Sequence, residues 1–281
     1  MIMEGILVVN KPKGITSRDV VNKLNHIFSM KKIGHTGTLD PLATGVLVIA
    51  LGKYTKLVNE LTCLEKKYIG EITLGIKTDT GDITGNVIEK CDYNLSNDLI
   101  KNCLKSFLGS YMQTVPIYSA VKVEGKKLYE YAREKKEVKL PVREVEIKDI
   151  ELLNFDDNKI VFRTVVSKGT YIRTLIEDIC DRLGTVGTMS NLKRTKQGRF
   201  NIKDSFTLED IESGNYKLLN VFDVFDYPVV EMNEEKYKKV INGVKLNNED
   251  KIKDKVIYTY KKKPVALYKL EQNHLVMDVL L

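Results

Sequence analysis

A chain of 281 residues, 43% of them apolar, is long enough to bury a full core in one large domain, or one large and one small, without covalent staples. Its formal charge of +7 is a modest excess that by itself says little about a polyanionic partner. Four cysteines with no Cys-x-x-Cys spacing and three scattered histidines argue against a zinc site, a redox pair or a metal cluster, and no stretch is long and apolar enough to span a bilayer.

Gly5 to Val9 is an apolar run that predicts a strand; with no basic leader or cleavage site it does not read as a signal peptide, so a cytoplasmic protein is expected. The turn Lys11-Pro12-Lys13-Gly14 ends it. Thr16 or Ser17 then caps a helix in which Val20, Val21, Leu24, Ile27 and Phe28 recur at helical spacing. A strand is predicted from Val46, a helix under Leu57, Val58, Leu61 and Leu64, and a strand from Tyr68 to Leu74. Thr78 to Gly85, rich in Asp, Thr and Gly, reads as a loop. Ser96 caps a helix carrying Leu99, Ile100, Cys103, Leu104, Phe107 and Leu108 on one face. Tyr118 to Val123 reads as a strand, and Lys126 to Glu137 as a charge-dense segment with Leu128, Tyr129 and Tyr131 interleaved. Strands follow at Val142 to Leu153 and Ile160 to Val166, then a helix from Thr170 with Ile172, Leu175, Ile176, Ile179 and Leu183 apolar, then a short one capped by Thr207.

Lys193, Arg194, Lys196, Arg199 and Lys203 form a basic run without an acid, and Lys261-Lys262-Lys263 a second; either is a solvated face or a polyanion contact. Cys63, Cys103 and Cys180 sit among apolar residues in helix-like patterns, as buried free thiols do. After Tyr227-Pro228 the composition shifts to Lys, Glu and Asn. A helix at Glu234 to Ile241 and strands at Val256 to Tyr260, Val265 to Leu270 and Leu275 to Val279 predict a small β-rich domain over 229–281. Strands outnumber helices and do not alternate with them, which predicts an α+β fold with a mixed, largely antiparallel central sheet and flanking helices.

The segment Gly34-His35-Thr36-Gly37-Thr38-Leu39-Asp40-Pro41-Leu42-Ala43-Thr44-Gly45 holds a single carboxylate in a glycine-rich loop ahead of the apolar run Val46–Leu51. Pro41 pushes Asp40 towards an extended backbone, and the glycines permit tight turns and close approach of a ligand. An Asp-Pro pair alone is an ordinary turn signal. The complete segment resembles the catalytic loop of the TruB family of tRNA pseudouridine synthases. Asn10-Lys11-Pro12-Lys13-Gly14, Lys67-Tyr68, Thr78-Asp79-Thr80-Gly81-Asp82, Pro116 to Lys122, Gly125 to Arg133, Lys168-Gly169-Thr170-Tyr171-Ile172-Arg173-Thr174 and Leu192-Lys193-Arg194 follow in that family's order, so the likeness runs from about Gly5 to about Thr207.

The resemblance implies a catalytic domain over 1–228 with an active site in a cleft across the sheet, a mobile thumb at about 121–145, and a PUA-like C-terminal domain. It implies isomerisation of the uridine at tRNA position 55, in the T-loop, by a monomer that needs no obligatory protein partner, no cofactor and no metal. Making pseudouridine is neither redox nor group loss, so it calls for a nucleophile rather than a nicotinamide or a metal, and a carboxylate is a recognised one. The resemblance gives that role to Asp40, with Arg173 as the cation that keeps it ionised. It implies that Tyr68 stacks on the extruded uridine, that His35 helps hold the opened RNA, and that Tyr171 and Leu192 line the uracil pocket. It implies that Lys11 supports the pocket floor or the loop, and that Asp82 anchors the arginine side. Two other classes remain on the residues alone: an RNA-binding module on the same scaffold, and a glycosidic-bond hydrolase, which commonly needs a second carboxylate that does not accompany Asp40. A guide-RNA-dependent relative is expected to bring partners and extensions.

Overall fold

The computed structural model describes residues 3–281. The chain begins with β1 (Gly5–Lys11), α1 (Ser17–Ile27), β2 (Ile33–His35), β3 (Thr44–Leu51), α2 (Val58–Thr62) and β4 (Lys66–Leu74). A side hairpin of β5 (Ile76–Thr78) and β6 (Val87–Lys90) leads to α3 (Asn97–Lys105) and β7 (Gly109–Thr114). A second small hairpin, β8 (Lys122–Val123) and β9 (Lys126–Lys127), runs into α4 (Leu128–Arg133). Then come β10 (Val142–Asp156), β11 (Lys159–Val166), α5 (Ile172–Arg182), β12 (Gly187–Gln197), β13 (Phe200–Asn201), α6 (Leu208–Glu212) and α7 (Val221–Val224).

The main sheet has the order β1-β3-β12-β4-β11-β10-β7, with β2 and β13 at its margins. Its pairings are antiparallel except β3–β12, where Thr44 and Gly45 run parallel to Lys193 and Arg194. This is the mixed, largely antiparallel sheet expected from the strand count. β1 from Ile6 to Val9 and β3 from Val46 to Leu51 are continuously apolar because both their faces are covered. Leu7, Val9, Leu47 and Ile49 face a core shared with α1, α3 and α5, and Ile6, Val8, Val46 and Val48 face a second core. β4 alternates buried and half-buried residues, as a strand with one covered face does. Thr16, rather than Ser17, caps α1: its hydroxyl accepts from the Asp19 N–H at 3.0 Å while Asp19 accepts from the Thr16 N–H at 2.8 Å.

Residues 229–281 build their own sheet from β14 (Val229–Glu231), α8 (Glu234–Ile241), β15 (Leu246–Asn247), β16 (Lys255–Tyr260), β17 (Lys263–Glu271) and β18 (His274–Leu280), in the strand order β14-β16-β17-β18-β15. Val240, Val256, Tyr258, Tyr268 and Leu275 form its core. Ile257, Leu267 and Val279 join the outer core on β1 and β3 instead, so apolar contact docks this sheet on the main one. Lys255 pins the junction between Glu60 at 2.7 Å and Asp278 at 2.8 Å.

The structure corrects the sequence reading at four places. β12 does not read as a strand in the sequence, because its lysines, threonines and asparagine suit a surface; it lies centrally, and backbone carbonyls of other segments hold the guanidinium of its buried Arg194 and the Nε2 of its buried Gln197. Tyr118 to Ala120 is a bend, since Pro116 brings no N–H to a ladder and the Ser119 N–H turns back on the Ile117 carbonyl at 2.9 Å; only Lys122–Val123 is strand. Cys63 is exposed, just beyond the end of α2, where its sulfur accepts from Lys168 at 3.4 Å; Cys103 and Cys180 are buried. Leu99 and Leu108 stand exposed at 47% and 50%, so only Ile100, Cys103, Leu104 and Phe107 of that face reach the core.

Candidate active site

The loop between β2 and β3 is fixed from every side. Its flanking strands pair with each other, His35 opposite Ile49. Leu39 and Leu42 are buried on either side of Asp40 and tack the loop to the core. The buried hydroxyl of Ser17, one residue past the cap of α1, clasps Leu39 twice: the Leu39 N–H donates to it at 2.8 Å and it donates to the Leu39 carbonyl at 3.0 Å. The Ala43 N–H closes a turn on the Asp40 carbonyl at 3.0 Å. Gly45, at φ +100°, ends the loop where any Cβ would lie 2.2 Å from the Arg194 carbonyl oxygen, so glycine is what lets β12 run alongside.

Beneath the loop lies Lys11, with no exposed surface. Its ammonium donates to the carbonyls of Ile15 at 2.6 Å, Pro12 at 2.8 Å and Pro41 at 3.4 Å. Burial pushes it down to about 8, against the pull of Asp40.

Arg173, in the first turn of α5, meets Asp40 with two nitrogens: Nε at 2.9 Å from Oδ2 and Nη2 at 3.4 Å from Oδ1. The rest of the guanidinium is spoken for, Nη1 by the Thr80 carbonyl at 3.1 Å and Nη2 by the Tyr118 carbonyl at 2.8 Å. Its side chain is 8% exposed, whereas that of Asp40 is 31% exposed and opens into a cavity. A planar fork held by three segments is a fixed counter-charge.

The cavity holds about 400 Å³ and is walled by Asp40, Tyr68, Tyr171, Arg173, Leu192 and Arg194, among others. Tyr68 and Arg194 are opposite residues of β4 and β12, and the arginine Nη1 comes within 3.5 Å of the phenol oxygen. Of the residues singled out from sequence, Asp40, Tyr68, Tyr171, Arg173 and Leu192 thus converge on one space. Lys11 supports the loop from below without lining that space. Asp82 does not touch Arg173; its carboxylate accepts from the Thr84 N–H at 2.9 Å and fixes the turn whose Thr80 carbonyl receives the arginine. His35 also lies outside the lining; its Nδ1 accepts weakly from the Gly37 N–H at 3.4 Å, and burial, with Arg194 and Arg18 adding, lowers it below its ordinary value and keeps it neutral.

Three wall residues have no site role in the sequence reading, which places Arg194 in a basic run that is either a solvated face or a polyanion contact. Arg194 is 1% exposed and ties the Val46 carbonyl (2.6 Å) to the Gly37 carbonyl (3.0 Å). Its signal is its place two residues after Leu192, which puts a cation on the apolar side of a strand. Lys66 donates to the carbonyls of Thr62 and Leu64 at 2.9 and 2.7 Å, and burial, helped by Arg194, pushes it down to about 8. The Ser119 hydroxyl is buried in the wall without a partner among the described residues. Such a site can hold a planar ring of pyrimidine size against a carboxylate ion-paired with a fixed guanidinium, which suits nucleophilic chemistry.

Residues 25–172 match the N-terminal domain model of TruB family pseudouridylate synthases, and residues 173–220 match the tRNA pseudouridylate synthase B C-terminal domain. A tRNA pseudouridine synthase B of Caldanaerobacter subterraneus is 41% identical over 92% of both chains. One of Bacillus cytotoxicus is 45% identical over 88% of this chain and 85% of its own, and one of Fusobacterium nucleatum 49% over 72% and 70%. Among solved structures, a chain of a Cbf5–Nop10–Gar1 complex superposes with a TM-score of 0.73 at 26% identity, covering 98% of this chain and 83% of its own. The chain belongs to the TruB family of pseudouridylate synthases.

Proposed function

We propose that this protein isomerises the T-loop uridine at tRNA position 55 to pseudouridine, acting alone as a cytoplasmic monomer. The observation that carries the reading is the Asp40–Arg173 pair at 2.9 Å, opening into a cavity of about 400 Å³. The relatives at 41–49% identity are named for tRNA, which favours that substrate and a stand-alone enzyme over the multi-protein setting of the more distant Cbf5–Nop10–Gar1 complex.

In the reaction the N1–C1′ bond breaks, the base turns, a C5–C1′ bond forms, the hydrogen on C5 leaves to solvent and N1 takes up a proton. Asp40 is the nucleophile that holds the nucleotide covalently while the base turns. Arg173 holds it in place with a fixed counter-charge as RNA closes the cavity. The uridine enters by leaving its stack, which costs a few kcal/mol and is offset by the pocket. Tyr68 supplies a stacking face, about 1–3 kcal/mol per base, and its hydroxyl stands near Arg194 to assist proton removal. Tyr171 and Leu192 line the uracil, His35 holds the opened RNA, Lys11 braces the loop and Asp82 the arginine. The 121–145 segment acts as a thumb on the RNA hairpin, and residues 229–281 as a PUA-like domain.

The test is incubation with unmodified tRNA tritiated at uracil C5. Stoichiometric release of tritium from one T-loop site, with no added cofactor, is expected from the parent. Asp40→Asn should release none while binding the RNA as before. Release by that variant, or none by the parent, ends the proposal.

A further inference from the structure

We infer that Gln113 and Arg143, opposite residues on one rung of the β7–β10 ladder, are positioning residues for Tyr171 and, through it, for the Asp40–Arg173 pair. The inference rests on reading the cavity as a uridine pocket.

Tyr171 stands at the N-cap of α5, two residues before Arg173, but no side chain caps the helix there. Its peptide is instead gripped from another strand. The Tyr171 N–H donates to Gln113 Oε1 at 2.8 Å, and Gln113 Nε2 donates to the Tyr171 carbonyl at 3.1 Å. Gln113 is 1% exposed, and its remaining bond runs from Nε2 to the Tyr111 hydroxyl at 2.6 Å. That hydroxyl donates in turn to Asp178 on α5 at 3.1 Å. The start and the middle of α5 are therefore both tied to β7, the first by the Gln113 amide and the second by the Tyr111 hydroxyl to which that amide donates. Only a side chain with a donor and an acceptor side by side serves both the N–H and the carbonyl of one residue in this way, and a buried amide lacking either partner is costly.

Arg143 treats the other half of the same residue. Its guanidinium lies over the Tyr171 ring, 5.7 Å from the centroid. It also runs along Gly169, where a Cβ would come within 3.3 Å of Nη1. It forms no ion pair among the described residues, so its plane rather than a carboxylate partner explains its place. Gly169, Tyr171 and Arg173 all line the cavity. One rung thus fixes the backbone and the ring of a pocket residue, and displacing it displaces the guanidinium two residues on.

The experiment measures kcat and KM on a T-arm RNA, RNA affinity by filter binding, and melting, for the parent, Gln113→Met, Arg143→Lys, Tyr171→Ala and the double variant Arg143→Lys/Tyr171→Ala. Misplacement by a fraction of an ångström predicts that Gln113→Met loses about thirtyfold in kcat while RNA affinity stays within about twofold. Arg143→Lys keeps the charge but not the plane, and should lose about fivefold in kcat. Acting through the Tyr171 ring, Arg143→Lys should add little to the loss already caused by Tyr171→Ala, whereas independent roles would multiply. A parent-like kcat for folded Gln113→Met, or full multiplication in the double variant, overturns the inference. Should Gln113→Met fail to fold, Arg143→Lys, at a half-buried site, decides it alone, and parent-like turnover there overturns it. A parent that makes no pseudouridine would instead take down the uridine-pocket reading itself.

Discussion

The two walls of the cleft are built on different terms. The wall made by the Asp40 loop, β4 and β12 is buried, and its cations Lys11, Lys66 and Arg194 are anchored on backbone carbonyls. The facing segment, residues 117–140, has one fully buried apolar residue, Leu128, and otherwise presents charge. Its ion pairs, Lys126 and Lys136 with Glu134, and its cation–ring contacts, Lys127 and Arg133 on Tyr129, lie within the segment itself. A region with few buried contacts opens at low free energy, and one with many does not. The difference teaches where each task sits: reaction geometry belongs to the fixed wall, and grip on a flexible RNA to the facing one.

The strongest way to break that division is to cut the fixed wall away from the active site. Arg194→Met leaves the Val46 and Gly37 carbonyls and the Tyr68 hydroxyl without their donor. With about 1–3 kcal/mol for each buried group left unpaired, and some relaxation, the expected loss is about 3 kcal/mol in a denaturant titration. Turnover should fall about a hundredfold in the same variant, because β12 and the Asp40 loop meet at Gly45 and a shift of one ångström is that costly. An unchanged unfolding midpoint would show that the wall is not held as described.

The facing segment should respond in the opposite sense. Lys135 and Lys139 make no ion pair among the described residues and flank a hollow of about 740 Å³ that shares Tyr118 with the reaction cavity. Replacing both with alanine should raise KM about tenfold and flatten the salt dependence of RNA binding by about two in slope, with kcat and melting near the parent. A fall in kcat at constant KM would erase the distinction between the walls.

The same contrast explains what could be read from the sequence. The Asp40 loop was legible because glycines, a proline and a lone acid are contiguous, and α5 because its apolar spacing and the Lys168–Thr174 motif coincide. Lys11 and Arg173 followed from that resemblance. β12 was illegible because its inward residues are polar: Arg194 and Gln197 are paid for by carbonyls from segments more than a hundred positions away, and such bonds leave no periodic mark. Ser17, Gln113 and Lys66 were missed for a related reason, since each acts on a peptide group, and a peptide group has no residue type to recognise. Tyr118 to Ala120 misled because an aromatic beside small residues suits a strand as well as a bend.

The smallest effect tests the fixed wall by titration. Lys11 and Lys66 both stand at about 8, lowered chiefly by burial, with Arg194 lowering both and Asp40 and Asp19 opposing at Lys11, Cys63 at Lys66. Unfolded lysines titrate near 10.5. Below pH 8 both states hold these protons, and the native state bears the cost of two buried charges. Between 8 and 10.5 the native protein sheds them first, the unfolded chain binds more protons, and stability therefore rises with pH. Cys180, pushed by burial up to about 12, works the other way once unfolded thiols begin to ionise near 9, so the clean window is pH 8 to 9. Across it the free energy of unfolding should rise by about 2 kcal/mol, about 1 from each lysine, and Lys66→Met should remove about half of that rise. Turnover should drift the other way by about twofold to threefold, as Lys11 gives up the charge that supports Asp40. A protein that becomes more stable while becoming less active over one pH unit has its buried cations where the reaction needs them; a flat unfolding midpoint from pH 8 to 9 would mean that Lys11 and Lys66 are solvated, and that this wall is no more fixed than the one it faces.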